Sequence, residues 1–385
     1  ARPLARFIPR HDNDPNPDRR LRIGYVSPHL SSHVVGLYFL PLIANHDHTR
    51  FEIFCYSDLP RPDAMTERIK SHADHWRTTC GTSDEQFCDL VRRDRIDLLI
   101  DLTMHMDENR MLAFARKPAP VQATWLGYPG STGLETMDYR ISDPYLDPPE
   151  TDESLYSEKT IRLPHCYWWY DPPSDAPAVG SLPAERNRFV TFGNLGNFTK
   201  VNPKILDLWA AVLRALPSSR LLMLAPTGAA RDRMIGQLES KGIERARLEF
   251  TERIGRLAYL NLYNRIDIGL DSFPYNGHTT SLDSLWMGVP VVTLAGQTAV
   301  SRGGASILSN AGLTDLIAND ADQYVQIARE LAGDLARLAQ LRCDLRTRMQ
   351  RSPLTDAARS ARHMEAAYRL MWRNWCDAQA ALDAG

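Results

Sequence analysis

Residues 266–294, IDIGLDSFPYNGHTTSLDSLWMGVPVVTL, contain the pattern that decides the fold. Ile266–Leu270 and Val289–Leu294 are short apolar runs that predict buried strands, and a helix with an apolar face begins between them at about Thr279. A strand, a helix and a second strand in this order join parallel strands, because a parallel pair needs a crossover connection. The stretch therefore predicts an α/β protein with a parallel sheet.

The same alternation of apolar runs and helical segments extends over most of the chain. The other predicted strands are Leu21–Ser27, Phe51–Tyr56, Ile96–Leu102, Val121–Tyr128, Phe189–Phe192 and Leu221–Leu224. Between the later strands, helices are predicted to start near Pro203, Ala229 and Gly255. Residues 320–376 predict helix throughout, with a break near Ser352.

Two polar stretches rich in proline divide the chain. Residues 1–20 predict a linker or lead-in, and residues 171–187 (DPPSDAPAVGSLPAERN) predict the link between two lobes. We therefore expect Rossmann-like lobes at 21–175 and 176–352, followed by a helical segment at 353–385. The length of 385 residues is sufficient for two domains of ordinary size.

Composition excludes several classes of partner. The 45 basic and 47 acidic residues give a formal net charge of −2 without a basic block, which argues against nucleic acid as a partner. No apolar run approaches the roughly 18 residues that span a bilayer, so we expect no membrane insertion. Six scattered cysteines without a CxxC pair favour a reducing compartment, and we expect a cytoplasmic protein. Because the chain begins with Ala1 rather than methionine, it is interpreted as a piece of a longer protein.

Two loops in the second predicted lobe have the composition of a phosphate site. In one, Asn276-Gly277 leads into a helix whose free amides and dipole favour anions, and Thr279 and Thr280 add hydroxyl donors. Asp283, one turn later, is placed to accept from ribose hydroxyls. An ordinary helix capped by Thr279 would explain the same letters.

The other loop, Phe192–Pro203 (FGNLGNFTKVNP), leaves a strand, passes two glycines and presents Lys200. A lysine beside a glycine-rich loop suits a phosphate, although this is not a Walker A pattern, and a solvated lysine is the alternative interpretation. No Asp-x-Asp pair accompanies either loop to bridge a metal to a diphosphate.

Histidines mark the first lobe. His29 and His33 follow the first predicted strand, whose end faces the ligand crevice in a doubly wound fold, so they are candidates for acid, base or substrate contacts. Their spacing would also suit a metal, but no third ligand is evident. We interpret His46, His48, His72 and His75 as surface residues, and Trp168-Trp169-Tyr170 as packing.

Several long segments together resemble the catalytic region of the O-GlcNAc transferases, glycosyltransferase family 41. The matching segments include RIGYVS (22–27), PAPVQATWLGYPGSTG (118–133), NGHTTSLDSLWMGVPVVTL (276–294) and SRGGASIL (301–308), in the family's order. The resemblance implies a GT-B architecture, with two Rossmann-like lobes facing a cleft and the C-terminal helix returning to the first lobe. It also implies an inverting, metal-independent transfer of N-acetylglucosamine from UDP-GlcNAc to Ser or Thr hydroxyls of a protein or peptide acceptor.

The resemblance also implies roles for individual residues. Lys200 would hold the diphosphate and stabilise the leaving UDP, and His33 would lie near the sugar and the acceptor. The remaining donor contacts would come from Asn197, Arg256, Tyr259, His278, Thr279, Thr280 and Asp283, with Arg256 and Tyr259 beside the uracil and Asp283 on the ribose.

The sequence departs from the family pattern in the first lobe. His29 stands where the family commonly has an acidic residue, and His105 stands at the position of a family tyrosine. The tetratricopeptide repeats that usually precede the lobes are expected upstream or in a separate chain. The general base stays open between His33 and a donor phosphate oxygen acting through water. The rival hypotheses are a UDP-glucose or asparagine-directed transferase, and a catalytically silent module that binds a nucleotide or a partner protein.

Overall fold

The computed structural model describes residues 2–8 and 10–383, without the side chain of residue 383. The chain forms two compact units, Ala1–Asp171 with Asp356–Gly385, and Pro172–Thr355. The first unit is therefore built from two separated segments of sequence, and the second from one continuous segment. The point at which the units divide, after residue 171, lies at the start of the proline-rich stretch 171–187.

Strands and helices alternate along the chain. The strands in the described residues are β1 (Leu21–Ser27), β2 (Phe51–Ser57), β3 (His75–Thr78), β4 (Leu98–Asp101), β5 (Val121–Thr124), β6 (Tyr139–Ser142), β7 (Lys159–Arg162), β8 (Thr191–Asn194), β9 (Arg220–Leu224), β10 (Leu248–Thr251), β11 (Ile268–Leu270), β12 (Val291–Leu294) and β13 (Ile317–Ala318). The α-helices in the same residues are α1 (Val34–Ile43), α2 (Ala64–Lys70), α3 (Asp84–Arg93), α4 (Met111–Phe114), α5 (Pro183–Asn187), α6 (Pro203–Ala215), α7 (Ala229–Ser240), α8 (Arg256–Leu262), α9 (Thr279–Trp286), α10 (Gly303–Asn310), α11 (Ala321–Gly333), α12 (Leu335–Gln350) and α13 (Ala357–Asp383).

Each unit contains one parallel sheet. In the first unit the strand order is β3-β2-β1-β4-β5-β6-β7, and in the second it is β10-β9-β8-β11-β12-β13. In both sheets the first strand lies beside the fourth, so the order reverses next to β1 and next to β8. In an open α/β sheet that reversal opens a crevice at the carboxyl ends of the strands, where ligands bind. The expected α/β fold with two Rossmann-like sheets of the GT-B type is confirmed.

Most predicted strands are confirmed, but the run at 121–128 is a strand only as far as Thr124. The chain turns at Leu126, whose φ is 79°. Gly127 then packs against the loop that follows β4. A Cβ on Gly127 would lie 2.7 Å from the carbonyl carbon of Thr103, so only glycine fits there. The C-terminal helical region likewise has a second break at Asp334, between α11 and α12.

Helix α13 completes the first unit. The Tyr368 hydroxyl lies 3.1 Å from that of Tyr25 on β1, and the Trp372 indole donates to the Asn16 carbonyl at 3.0 Å. Glu365 accepts from the backbone of Asp47 at 2.8 Å. These contacts join α13 to β1 and to the segments around it, and Tyr25 and Tyr368 are fully buried where they meet.

The prediction that His46 lies at the surface is wrong. Its ring bridges Glu365, 3.0 Å from Nδ1, and the Tyr25 hydroxyl, 2.7 Å from Nε2, and its side chain is fully buried. The neighbouring polar residues in the sequence indicate exposure, but both ring nitrogens have buried hydrogen-bond partners, one of them on the distant helix α13. The prediction is confirmed for the exposed His48, and Trp168, Trp169 and Tyr170 are buried as expected. None of the helices within residues 2–8 and 10–383 combines the length and apolar character that crossing a bilayer requires.

Candidate functional site

The carboxyl edge of the second sheet forms a pocket. Strand β8 ends at Asn194, β11 ends at Leu270, and α9 begins at Thr279. A small pocket lies here, lined by Gly193, Asn194, Leu195, Gly196, Tyr263, Gly269, Leu270, Asp271, Thr280, Ser281, Ser284 and Val291. Strand ends, a glycine-rich loop and a helix amino terminus therefore converge at the place where this fold class binds nucleotides.

Asp271, which directly follows β11, organises the turn into α9. Its carboxylate accepts from the backbone of Gly277 at 2.6 Å and from the Thr293 hydroxyl at 2.6 Å. Burial raises the pKa of Asp271 to about 6, although these hydrogen bonds and the Lys200 charge oppose the shift. A Cβ on Gly277 would lie 2.5 Å from the Thr280 hydroxyl, so the turn accepts no side chain at this position.

Lys200 lies against this turn. Its ammonium donates to the Asn276 carbonyl at 2.7 Å and lies 3.7 Å from the centroid of the Tyr275 ring. Burial lowers the pKa of Lys200 to about 8, against the opposing attraction of Asp271. A half-buried ammonium is thus held in place beside the start of α9 by a backbone carbonyl and an aromatic ring. An anion bound here would be stabilised by the fixed positive charge of Lys200.

The first residues of α9 present further donors. His278 is the N-cap residue, and its backbone carbonyl accepts from Leu282 at 3.0 Å. Burial, followed by the positive charge of Lys200, holds the pKa of His278 well below its ordinary value, so the ring is neutral at pH 7. Thr279 and Thr280 form the first turn, where backbone amides have no intrahelical acceptor. The predicted helix start at Thr279 is confirmed, and the cap residue is His278 rather than Thr279.

Asp283 and Arg256 form an ion pair. The guanidinium donates to both carboxylate oxygens, at 2.6 and 2.5 Å, and the Asp283 side chain is only 1% exposed. Arg256 begins α8, so the pair joins α8 to α9. The carboxylate that the sequence predicts for the ribose is therefore already occupied by the arginine that it predicts for the base.

Tyr259 extends the same connection. Its hydroxyl lies 3.0 Å from that of Tyr263, which in turn donates to the Thr280 carbonyl at 2.9 Å. The Tyr259 hydroxyl also donates to the Leu195 carbonyl at 3.3 Å, in the loop that follows β8. Asn197 in this loop is exposed and caps the short 3-10 helix Phe198–Lys200 by accepting from Thr199.

His33 belongs to the first unit. It is half-buried at the start of α1, with its ring stacked on His29 at a centroid distance of 4.3 Å. The structure thus brings together eight of the predicted site residues in the second unit and places the ninth in the first: Asn197, Lys200, Arg256, Tyr259, His278, Thr279, Thr280 and Asp283, and separately His33.

Sequence reasoning assigned no role in the site to three residues that shape it. Asp271 and Asn276 hold the turn, and Tyr263 links α8 to α9. An aspartate directly after a buried strand is a signal that could have identified Asp271. Asn276 and Tyr263 act through carbonyl and hydroxyl contacts that no spacing reveals. In the part of the chain that the structure describes, no group of three or more His, Cys, Asp or Glu side chains is placed to hold a metal ion.

This geometry is that of a doubly wound α/β protein with a crevice suited to an anion at the carboxyl edge of its second sheet, and comparison with known proteins defines the family. The chain matches glycosyl transferase family 41 over residues 6–174 and 181–364, and it belongs to that family. The family resemblance drawn from the sequence motifs is confirmed.

Named relatives are found among plants. The "probable UDP-N-acetylglucosamine--peptide N-acetylglucosaminyltransferase SPINDLY" of Petunia hybrida is 40% identical over 374 residues, which cover 95% of this chain and 40% of that protein. The corresponding "probable" transferase SEC of Arabidopsis thaliana is 29% identical over 372 residues, covering 94% of this chain and 38% of the relative. The chain thus spans about 40% of the length of the first of these relatives.

Solved structures agree on the fold. A point mutant of the O-GlcNAc transferase of Thermobaculum terrenum superimposes with a TM-score of 0.93 at 42% identity, covering 98% of this chain and 73% of that one. A sucrose-phosphate synthase from Thermosynechococcus elongatus, with a TM-score of 0.56 at 14% identity, covers 92% of this chain and 99% of that one. The second likeness extends to the fold alone.

Proposed function

We propose that this chain transfers N-acetylglucosamine from UDP-GlcNAc to Ser or Thr hydroxyls of a protein or peptide, with inversion at the anomeric carbon. The observation that carries the proposal is the fixed Lys200 ammonium beside the amino terminus of α9, at the carboxyl edge of the second sheet. Membership of family 41 and the names of the relatives support the same donor and acceptor classes.

The proposed reaction breaks one bond and forms another. The acceptor oxygen bonds to the anomeric carbon as the sugar–diphosphate bond breaks and its electron pair stays with UDP. Negative charge therefore grows on the diphosphate, and Lys200 with the α9 amides stabilises that charge more in the transition state than in the ground state. The acceptor proton goes either to His33 or, through water, to a donor phosphate oxygen.

We further propose that the reaction needs no metal. The charge that a divalent cation would supply on the diphosphate comes from Lys200 and the α9 dipole, whereas Arg256 is already paired with Asp283. Asn197, Tyr259, His278, Thr279, Thr280 and Asp283 would form the rest of the donor site. We place the protein in the cytoplasm, because its six cysteines are free thiols, and expect a tetratricopeptide-repeat region upstream or in another chain to select acceptors.

A panel of donors with a Ser/Thr- and Asn-containing peptide tests the proposal. UDP-GlcNAc, UDP-glucose and a purine-nucleotide sugar are compared in the same assay, with UDP release and peptide mass as readouts. We expect a mass increase only with UDP-GlcNAc, and loss of the sugar under alkaline β-elimination, which removes O-linked but not N-linked sugars. Transfer from another donor, or a sugar stable to alkali, would establish a rival transferase. Tight UDP binding without transfer or hydrolysis would instead identify a silent binding module.

A further inference from the structure

A single peptide group lies between Asp271 and Lys200. The Asn276 carbonyl accepts from the Lys200 ammonium at 2.7 Å, and the N–H of the next residue, Gly277, donates to Oδ1 of Asp271 at 2.6 Å. The two ends of one conjugated peptide bond therefore face an ammonium and a carboxylate. Because each charge polarises the peptide in the sense that strengthens the other hydrogen bond, the two charges stabilise each other through this bond.

Further contacts fix the Asp271 carboxylate in place. Its Oδ1 also accepts from the N–H of Ser272 at 2.8 Å, and its Oδ2 accepts from the Thr293 hydroxyl at 2.6 Å. A Cβ on Gly304 would lie 2.7 Å from Oδ2, so the start of α10 closes the remaining side. The negative charge of Asp271 therefore acts on Lys200 from a fixed, buried position.

A second copy of this strand-end arrangement occurs in the first unit. The sequence reads RIDLLID at 95–101 and RIDIGLD at 265–271. Like Asp271, Asp101 accepts from a backbone N–H, at 2.9 Å, and from a threonine hydroxyl of the next strand, at 2.8 Å. Burial raises the pKa of both carboxyls to about 6. The hydrogen bonds are thus common to both sheets, and what distinguishes Asp271 is the lysine on which its charge acts.

We propose that Asp271 is a positioning residue of the donor site, which keeps the Lys200 ammonium charged through the Asn276–Gly277 peptide and leaves it available to the diphosphate. The inference rests on the proposed function, because it assigns Asp271 a place in that donor site. The carbonyl takes one of the three N–H donors of the ammonium, which leaves donors for phosphate oxygens. A carboxylate paired directly with Lys200 would instead have to be displaced by the diphosphate. A negative charge at the far end of one peptide group stabilises the cation in the empty site without occupying it.

The other ionisable groups packed around this pair keep one charge state between about pH 7 and pH 9. Burial holds the pKa of His278 well below its ordinary value, and it holds that of Tyr324, which reaches Asp271 from α11, well above. Tyr275 faces the ammonium with its ring. The ion pair that joins α8 to α9 carries no net charge. A titration in this range therefore reports on Lys200.

The charge state of Lys200 is measured by NMR on the whole chain, labelled with ¹³Cε-lysine. The sequence has six lysines, and the Lys200 signal is identified by its absence in Lys200→Ala. We expect Lys200 to titrate at about pH 8 in the wild-type protein, and about one pH unit lower in Asp271→Asn, which keeps the size of the side chain and removes its charge. Asp101→Asn, the matching change in the first unit, should leave the Lys200 titration unchanged. The same Lys200 titration in Asp271→Asn as in the wild-type protein would overturn the proposal.

UDP binding tests whether this charge serves the donor. The pH above which UDP affinity falls should move down in Asp271→Asn by about the same one unit, and it should stay in place in Asp101→Asn. An unmoved pH limit in Asp271→Asn would show that the charge of Asp271 does not act on the bound diphosphate through Lys200. The NMR titration needs neither UDP nor turnover. Failure of the transferase assay would therefore remove the proposed function and leave the coupling of Asp271 to Lys200 standing.

A reciprocal measurement tests the coupling without Asp271→Asn, in case that variant does not fold. The folded-state pKa of Asp271 is raised to about 6, so the stability that this group contributes is lost as pH rises through about 6. The Lys200 charge opposes this shift, so Lys200→Ala should raise the pKa of Asp271 further and move the loss to higher pH. The free energy of unfolding of Lys200→Ala, relative to the wild-type protein, should therefore fall between about pH 6 and pH 7.5. Parallel pH profiles of the two proteins over this range would contradict the coupling.

Discussion

The surroundings of Lys200 are those expected of a residue that binds an anion. Its ammonium is held by the Asn276 carbonyl and the Tyr275 ring, in a site where burial disfavours its charge. A diphosphate bound beside it would supply the missing counter-charge. The cost of keeping a partly desolvated cation in the empty site is thereby recovered when an anion binds.

We predict that Lys200→Ala lowers kcat by about a hundredfold to a thousandfold, the usual effect of removing one fixed donor from a transition state. Lys200→Arg should restore the rate only in part, because a planar guanidinium does not fit a site shaped for a compact ammonium. The measurement is steady-state transfer to a peptide, with thermal unfolding as the check on folding. Lys204→Ala, on the exposed face of α6, is the matched control. A Lys200→Ala rate above about a tenth of the wild-type value would remove the leaving-group role.

A second prediction concerns pH. With a pKa of about 8, Lys200 is protonated at pH 7 and largely neutral at about pH 9 in the empty site. Bound diphosphate favours the charged form and raises this pKa. UDP binding should therefore take up close to one proton at about pH 9 and almost none at pH 7, and affinity should fall as pH rises above about 8. Calorimetry in buffers of different ionisation enthalpy measures the uptake. Uptake that persists in Lys200→Ala would assign the proton to another group.

Some of these residues could be identified from the sequence, but their contacts with distant parts of the chain could not. Lys200 could be identified because glycines and a strand end precede it in the letters. The pairing of Asp283 with Arg256 could not, because its partners lie 27 residues apart and meet only when α8 packs beside α9. His46 fails for the same reason, since Glu365 arrives from a helix more than 300 residues away.

At the level of elements, the turn from β11 into α9 determines the geometry of the donor pocket. We predict that Gly277→Ala weakens UDP binding at least tenfold, because its Cβ would displace Thr280 and Ser281, 2.5 and 2.7 Å away. Gly236→Ala is the control: it lies exposed within α7 with nothing within 4 Å, and it should stabilise the protein by up to about 1 kcal/mol. UDP titration and thermal unfolding of both variants distinguish the two effects. Unchanged UDP affinity in Gly277→Ala would show that the turn does not shape the pocket.

Elements were the most predictable level of the structure. Buried parallel strands have continuous apolar sequences, which makes them easy to recognise. The helix starts near Pro203, Ala229 and Gly255 are indicated by proline, glycine and the spacing of apolar residues. The run at 121–128 was extended too far because Trp125 and Leu126 are as apolar as a strand. What ends that strand is the approach of Gly127 to Thr103, a tertiary contact that local pattern does not contain.

At the scale of the whole molecule, the prediction concerns metal. If Lys200 and the α9 dipole supply the positive potential, transfer should continue at an undiminished rate in excess EDTA. The assay uses extensively dialysed protein with UDP-GlcNAc and peptide, and added Mg²⁺ or Mn²⁺ should change kcat by less than about twofold. Loss of turnover on chelation, restored by either cation, would contradict the metal-independent proposal.

The first unit is built from two separated segments of the chain, and this has a consequence for biosynthesis. Strand β1 and helix α13 are neighbours in space, yet the whole second unit is encoded between them. On the ribosome, the second unit can therefore close while the first still lacks Ala357–Asp383. Although the first unit begins the chain, we therefore expect it to complete its fold after the second. Until α13 has been synthesised, Tyr25 and His46 lack their partners Tyr368 and Glu365, so we expect the nascent first unit to be a better substrate for chaperones and proteases than the second.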